Sequence, residues 1–392
     1  MRGRIVAASR GTWPAACGLA VCALVLVWIT PAVQQYDGAL RLARLLARGS
    51  SHFDDFLPWI EMFRHAGRDQ LAYPPMVSFL LVPFVWAFGE GVQQPAINSL
   101  FILATAGLLV VLMRGIGPLA GIAAWAAPAY VLATPVLYSA AEGNIWLLMH
   151  SEGSLLLTGA LVAALRLRCA PLAGFLFACA AGTRYSVALA GPAVLAALVA
   201  GHAEPLREAW SRLPALAAGA IPPAAAVLIF QWWTLGDALF SPYEASWREW
   251  GIGGARFSFE YVWGNARVYF LMTPLRLPEF PWLRFPADGQ SLFVLSPFLL
   301  GIFAARLRIA ILAVFAASSA VMLGFYLLYF WSGYAQYGSR YAQDLLPLLL
   351  PLAFSAFTRP ARAWRIAFGI LLALSMLMNA WGTYVVAGLG LT

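Results

Sequence analysis

Five ionisable side chains stand where apolar stretches meet loops, and their types suit phosphate and hydroxyl chemistry. Asp37 follows the first apolar stretch, Glu142 and Glu152 flank the start of another near 148, Arg184 closes one that begins at 170, and Arg340 precedes one that begins at 342. A charge at a helix mouth is costly unless it faces a polar cavity or a partner. A carboxylate can take the proton from an incoming hydroxyl. Guanidinium forks match phosphate oxygens. Brought together, Asp37, Glu152, Arg184 and Arg340 predict a cleft with a carboxylate floor and a cationic rim, suited to a lipid-linked phosphate donor.

Each position also has a plainer reading. Asp37 suits an N-cap for the stretch that follows it. Glu142 reads equally as a loop acid, and Glu152 as a partner of His150. Arg184 reads as a snorkelling anchor, and Arg340 as a residue that orients its helix. Asp54, Asp55, Glu61, Arg64 and Arg68 read as a solvated helix face. His52, Asp54 and Asp55 are oxygen and nitrogen donors that could hold a divalent Mg or Mn, but their order matches no metal-site pattern.

The elements that must position these groups are transmembrane helices. The chain has 392 residues, 62% hydrophobic and only 11% charged, against about a quarter charged in soluble domains. Apolar runs near the length that crosses a roughly 30 Å hydrocarbon core recur throughout. They fall near 13–33, 95–113, 118–138, 148–165, 170–185, 187–201, 213–233, 291–305, 309–330, 342–358 and 366–388, which predicts an all-α polytopic membrane protein of about 11 transmembrane helices in one integral domain. The formal net charge is +8, and all 25 basic residues are arginine. They cluster in short loops, as orientation signals do, and scattered charge of this kind makes no nucleic-acid groove. Arg2, Arg4 and Arg10 put the N-terminus in the cytoplasm. For the later clusters to alternate, the apolar segment 73–89 is expected not to cross; the competing reading is that it spans and one of the short helices at 170–201 does not.

Three outer loops follow from this topology. Loop 34–94 carries Arg41, Arg44 and Arg48 beside Leu40, Leu42, Leu45 and Leu46, the pattern of an amphipathic surface helix. Loop 234–290 is dense in tryptophan (Trp247, Trp250, Trp263, Trp282), which suits either an interfacial belt or stacking on sugar rings. The third, 331–341, is short. The module 1–233 precedes loop 234–290, and helices of 291–392 close the chain. Cys17, Cys22, Cys169 and Cys179 have no metal-binding spacing and read as small buried hydrophobes.

The chain resembles the GT-C superfamily of membrane glycosyltransferases, which move a sugar from a polyprenyl-phosphate or polyprenyl-diphosphate carrier. The resemblance rests on three stretches in order. The first is Tyr36-Asp37-Gly38, with Arg48-Gly49-Ser50 and then Leu71-Ala72-Tyr73-Pro74-Pro75. The second is Ser151-Glu152, with Arg166-Leu167-Arg168 and Ala181-Gly182-Thr183-Arg184-Tyr185. The third is Tyr337-Gly338-Ser339-Arg340-Tyr341, leading into Leu345-Leu346-Pro347. In style the chain is similar to the dolichyl-phosphate-mannose mannosyltransferase-like and lipid A aminoarabinose transferase-like branches.

The resemblance implies an inverting hexosyl or pentosyl transfer in the inner (plasma) membrane, with the site on the outer face. Asp37 would be the general base or would orient the acceptor, with Glu152 or Glu142 the second acid. Arg184, Arg340, Tyr341, Tyr73 and Tyr337 would bind substrate. The acceptor would be a hydroxyl of a glycan, lipid or protein, and no soluble cofactor is implied. One departure is that Asp37 is followed by Gly38 where many members have a second acid. A transporter or lipid flippase is the rival from another class, and a non-catalytic subunit of a cell-envelope assembly is a third.

Overall fold

Apolar segments of this kind bond their backbone within themselves, since lipid offers no partners. Helices accordingly occupy the apolar stretches. The structure, a computed structural model, describes residues 12–57 and 59–390. Arg2, Arg4 and Arg10, on which the expected orientation of the first span rests, lie outside these.

Helix α1 (Thr12–Ile29) is followed by α2 (Gly38–Ala47), a hairpin of β1 (Met62–His65) and β2 (Arg68–Leu71), then α3 (Met76–Phe88) and α4 (Gln94–Gly115). The stretch near 118–138 is broken into short turns, α5 (Ala126–Leu132) and α6 (Val136–Glu142). Next come α7 (Ile145–Val162), α8 (Ala170–Thr183), α9 (Gly191–Val199) and the long α10 (Pro205–Leu235). After α11 (Pro242–Glu249), α12 (Glu260–Ala266) and a two-residue hairpin of β3 (Leu275–Arg276) and β4 (Leu283–Arg284), the chain ends through α13 (Leu292–Leu295), α14 (Ala310–Leu328), α15 (Leu346–Phe357) and α16 (Arg362–Thr383).

Among the described residues, five helical segments are long and apolar enough to cross a membrane: Gln94–Gly115, Ile145–Leu167, Pro205–Leu235, Ala310–Leu328 and Arg362–Gly388. Shorter apolar helices fill the other predicted positions at the start and middle of the chain. The segment predicted not to cross holds α3, whose 13 residues reach about 20 Å at 1.5 Å each. The core packs α7 against α4 and α8. Helices α8 and α10 meet at two glycines. A Cβ on Gly174 would strike the Leu216 carbonyl, and one on Gly219 the Pro171 carbonyl. Small residues that let backbones close up are a usual device of helix contacts in lipid.

Two parts of loop 34–94 differ in outcome. Helix α2 has the predicted amphipathic pattern, with Leu40 and Leu42 buried and Arg44 and Arg48 both paired to Glu90 at 3.2 and 2.6 Å. The solvated helix face predicted over 54–68 is instead an antiparallel hairpin, Met62 opposite Leu71 and His65 opposite Arg68. Ala66 and Gly67 both have positive φ, as the favoured two-residue hairpin turn requires. Arg64 donates two bonds to Asp69, at 2.8 and 3.0 Å, across the strands. The ladder runs on one step, where Ala72 donates to the Glu61 carbonyl at 2.9 Å, and this sets Glu61 beside Tyr73.

Candidate active site

The ends of α7 and α8, the turn before α15 and the hairpin converge on two cavities. The first, about 410 Å³, is lined by Glu61, Tyr73, His150, Arg184, Arg340 and Tyr341 among others. The second, about 430 Å³, is lined by Tyr36, Tyr138, Glu142, Asn144 and Tyr334 with others. Glu61, Trp146, Trp331 and Arg340 line both. These four side chains form the wall between the two spaces.

Each element brings its residue for a local reason. Helix α8 stops at Thr183, and Arg184 turns to extended backbone at φ −139° and ψ 102°, which swings its side chain off the helix axis. Gly338, at φ +71°, makes the turn before Arg340, and a Cβ there would strike Pro135. Arg340 then opens the short 3-10 turn Arg340–Leu345.

The arginines are held by rings and one acid. The guanidinium carbons of Arg184 and Arg340 lie 5.2 and 5.3 Å from the Tyr341 ring centre, within cation–π range. The Tyr341 ring stacks on Tyr326 at 5.5 Å. Arg184 Nε donates to Asp344 Oδ2 at 3.2 Å. Asp344 is wholly buried and also receives the Tyr326 hydroxyl at 2.5 Å, while His150 Nδ1 lies 2.6 Å from its other oxygen. The Tyr326 hydroxyl is also 2.8 Å from Ser186 Oγ. Such a charge survives burial because every partner is in place. Arg340 makes no ion pair within 4 Å among the described residues. Its charge is felt at Glu61, and it is the cation of the wall left open to a ligand.

Glu61 is the acid of the wall. Its Oε1 accepts from the Trp146 indole N–H at 3.1 Å. The Tyr73 hydroxyl lies close to the same carboxylate, short of a well-formed hydrogen bond. Burial raises the Glu61 carboxyl above the ordinary glutamate range, against the lowering pull of Arg340, Trp146 and Tyr73.

The structure brings together Arg184, Arg340, Tyr341 and Tyr73 of the predicted site, and it separates the others from them. Asp37 lines neither cavity. Its Oδ1 accepts from Arg41 Nε at 2.6 Å, one helical turn on, and it makes no side-chain cap bond. The expected cleft floor is therefore not built from Asp37, because the nearest guanidinium comes from its own helix. Glu152 is also outside both cavities. It is wholly buried on α7, with Oε1 accepting from the Thr183 hydroxyl at 2.7 Å and Oε2 without a partner. Tyr337 is a packing residue, fully buried with its hydroxyl donating to the Met378 carbonyl at 2.8 Å. Glu142 lines only the second of the two cavities. Asp54 and Asp55 are exposed, and His52, Asp54 and Asp55 are not drawn into a group of three metal-binding side chains among the described residues. Of the tryptophans in 234–290, Trp247 lines the first cavity beneath Arg256, at 4.6 Å, whereas Trp250, Trp263 and Trp282 are exposed.

Asp344 and Glu61 are the residues that sequence reasoning missed. Asp344 carried a signal, a lone acid entering the apolar run Leu345–Leu350, where an unpaired charge is expensive.

Comparison with known protein families and with curated proteins finds no match. Solved structures do match. One is the apo form of the Archaeoglobus fulgidus oligosaccharyltransferase, with TM-score 0.55 and 12% identity over 94% of this chain and 56% of that one. Another is the oligosaccharyltransferase AglB of the same archaeon, in complex with an inhibitory peptide and a dolichol-phosphate, with TM-score 0.50 and 14% identity over 96% of this chain and 55% of that one. The chain thus spans about half the length of the structures it matches. It shares the fold of these oligosaccharyltransferase structures, and five of its described helical segments are long and apolar enough to cross a membrane.

Proposed function

We propose that the chain is a glycosyltransferase that moves a hexosyl or pentosyl group from a polyprenyl-phosphate donor to a hydroxyl acceptor, with inversion, at the outer face of the plasma membrane. The observation that carries this reading is the shared wall, where one carboxylate and one open guanidinium stand between two cavities. A two-substrate reaction needs such an arrangement, because both partners must meet one base and one anion holder.

The donor phosphate belongs in the first cavity against Arg340 and Arg184, and the acceptor in the second. The acceptor oxygen attacks the anomeric carbon as Glu61 takes its proton. The bond from that carbon to the phosphate oxygen breaks, and the phosphate gains a second negative charge. Arg340, with no ion pair among the described residues, meets that charge as it develops, which is where fixed donors contribute most. Arg184, steadied by Asp344, supports the same anion. Glu61 suits the role of base better than Asp37, which is committed to Arg41. No step here is routed through a metal. The dolichol-phosphate and peptide bound to AglB support a lipid phosphate and a separate acceptor.

The test is transfer from a radiolabelled polyprenyl-phosphate sugar in membranes of an expressing strain. Glu61→Gln should lower transfer by about 100-fold or more, the range for a general base, while Asp37→Asn keeps most of it. Full activity in Glu61→Gln rejects the reading. Uptake of the sugar without transfer favours a transporter instead.

A further inference from the structure

The second cavity holds a carboxylate, Glu142, that no cation pairs among the described residues, although Arg340 stands in the wall of the same cavity. Glu142 ends α6 and lines the cavity. Its backbone carbonyl accepts from Gln34 Nε2 at 2.6 Å, but its carboxylate makes no ion pair among the described residues. Burial alone acts on that carboxyl and raises it above the ordinary range, with no opposing donor or cation. The wall acid Glu61, by contrast, has Arg340, Trp146 and Tyr73 around it.

Apart from Arg340, which stands with Glu61 in the shared wall, the rest of the lining favours positive charge as well. Tyr36, Tyr138, Tyr334, Trp146 and Trp331 present aromatic rings to the same space. Aromatic faces are the negative part of the ring quadrupole and attract cations. A neutral sugar could stack on those rings, but it would leave the Glu142 charge uncompensated. A buried or half-buried charge without a partner is costly, so a ligand that brings the opposite charge gains most.

Resting on the transferase reading above, we infer that the second cavity selects an acceptor that carries a primary ammonium group near its hydroxyl, with Glu142 as the counter-ion and Tyr138 and Tyr334 as cation-facing rings. The reacting hydroxyl then points toward Glu61, and the ammonium meets the Glu142 carboxylate. Glu142 here is a specificity residue that binds the acceptor and takes no proton.

The experiment measures calorimetric binding of two probes to the purified full chain in detergent: a glucosamine disaccharide and its fully N-acetylated form. The charged probe should bind about ten-fold tighter, the worth of a partly desolvated charge pair. Glu142→Gln should erase that preference and Glu142→Asp should retain part of it. Both variants should keep the elution profile and melting temperature of the parent, which shows that they fold. Equal binding of the probes, tighter binding of the acetylated form, binding of neither, or an undiminished preference in folded Glu142→Gln overturns the inference. Binding of polyprenyl monophosphate, and its loss in Arg340→Ala, reports on the transferase reading separately, so failure of one claim is told from failure of the other.

Discussion

Replacing Asp344 by asparagine should destabilise the protein by more than any other single isosteric change at the site. The carboxylate is met by Arg184 at 3.2 Å, Tyr326 at 2.5 Å and His150 at 2.6 Å, all inside the protein. Each hydrogen bond to a charged group is worth about 1.5–3 kcal/mol. The asparagine amide nitrogen cannot accept, so His150 must switch from donor to acceptor or another of these partners is stranded, and Arg184 loses its counter-charge. Breaking a buried pair costs about 3–5 kcal/mol. The Arg184 side chain is 13% exposed, which favours the lower end, about 3 kcal/mol. At about 2 °C per kcal/mol for a large domain, the melting temperature in detergent should fall by about 6 °C. Arg184→Met alone strands the opposite charge and should also be costly. The double variant Arg184→Met, Asp344→Asn carries neither charge, so its loss should fall short of the sum by about 1.5 kcal/mol or more. Losses that add to within about 0.5 kcal/mol, the limit for independent sites, would refute a coupled pair.

Arg340→Ala should weaken polyprenyl-phosphate binding by about ten-fold or more, from the loss of a charge-assisted bond, and Arg340→Lys should recover only part; equilibrium binding of the lipid checks this. Transfer should fall on acidification with a midpoint above the ordinary glutamate value, because burial favours protonated Glu61 and only the carboxylate can accept a proton; the stability linked to that group runs the other way, present at low pH and lost as pH rises through the raised value. A pH profile with its limb at or below the ordinary value contradicts this. Gly382→Ala should cost about 1–3 kcal/mol by overpacking, since a Cβ there would strike the Tyr337 ring, and should lower transfer by shifting the turn that leads to Arg340; thermal unfolding and transfer are read together. Glu152→Gln should keep fold and transfer, because an amide oxygen can still accept from Thr183.

The sequence made the helices legible because apolar length is a strong signal, and each predicted stretch holds helical structure. It was weaker where polar residues dominate. The hairpin of 62–71 was hidden because Arg64, Arg68 and Asp69 resemble a solvated helix face, while its turn needs only Ala66 and Gly67 in left-handed backbone. That misreading concealed Glu61, whose place beside Trp146 is fixed by strand register. Arg184 and Arg340 were legible as charges at helix mouths. Asp37 was legible as an acid there too, but residue type could not say that Arg41 would take it. Tyr337 sits in the same motif as Arg340 yet points inward, a choice set by the space that Gly382 leaves. Asp344 needed the three-dimensional neighbours His150, Arg184 and Tyr326, each distant in sequence.

The most direct measurement is a cryo-electron microscopy structure of the chain with bound polyprenyl phosphate. The phosphate should lie within hydrogen-bond reach of Arg340, with the Glu61 carboxylate facing it across the junction of the two cavities. A phosphate seated instead on Arg41, Arg44 or Arg48, with Asp37 released from Arg41, would contradict the assignment of the wall as the reaction centre.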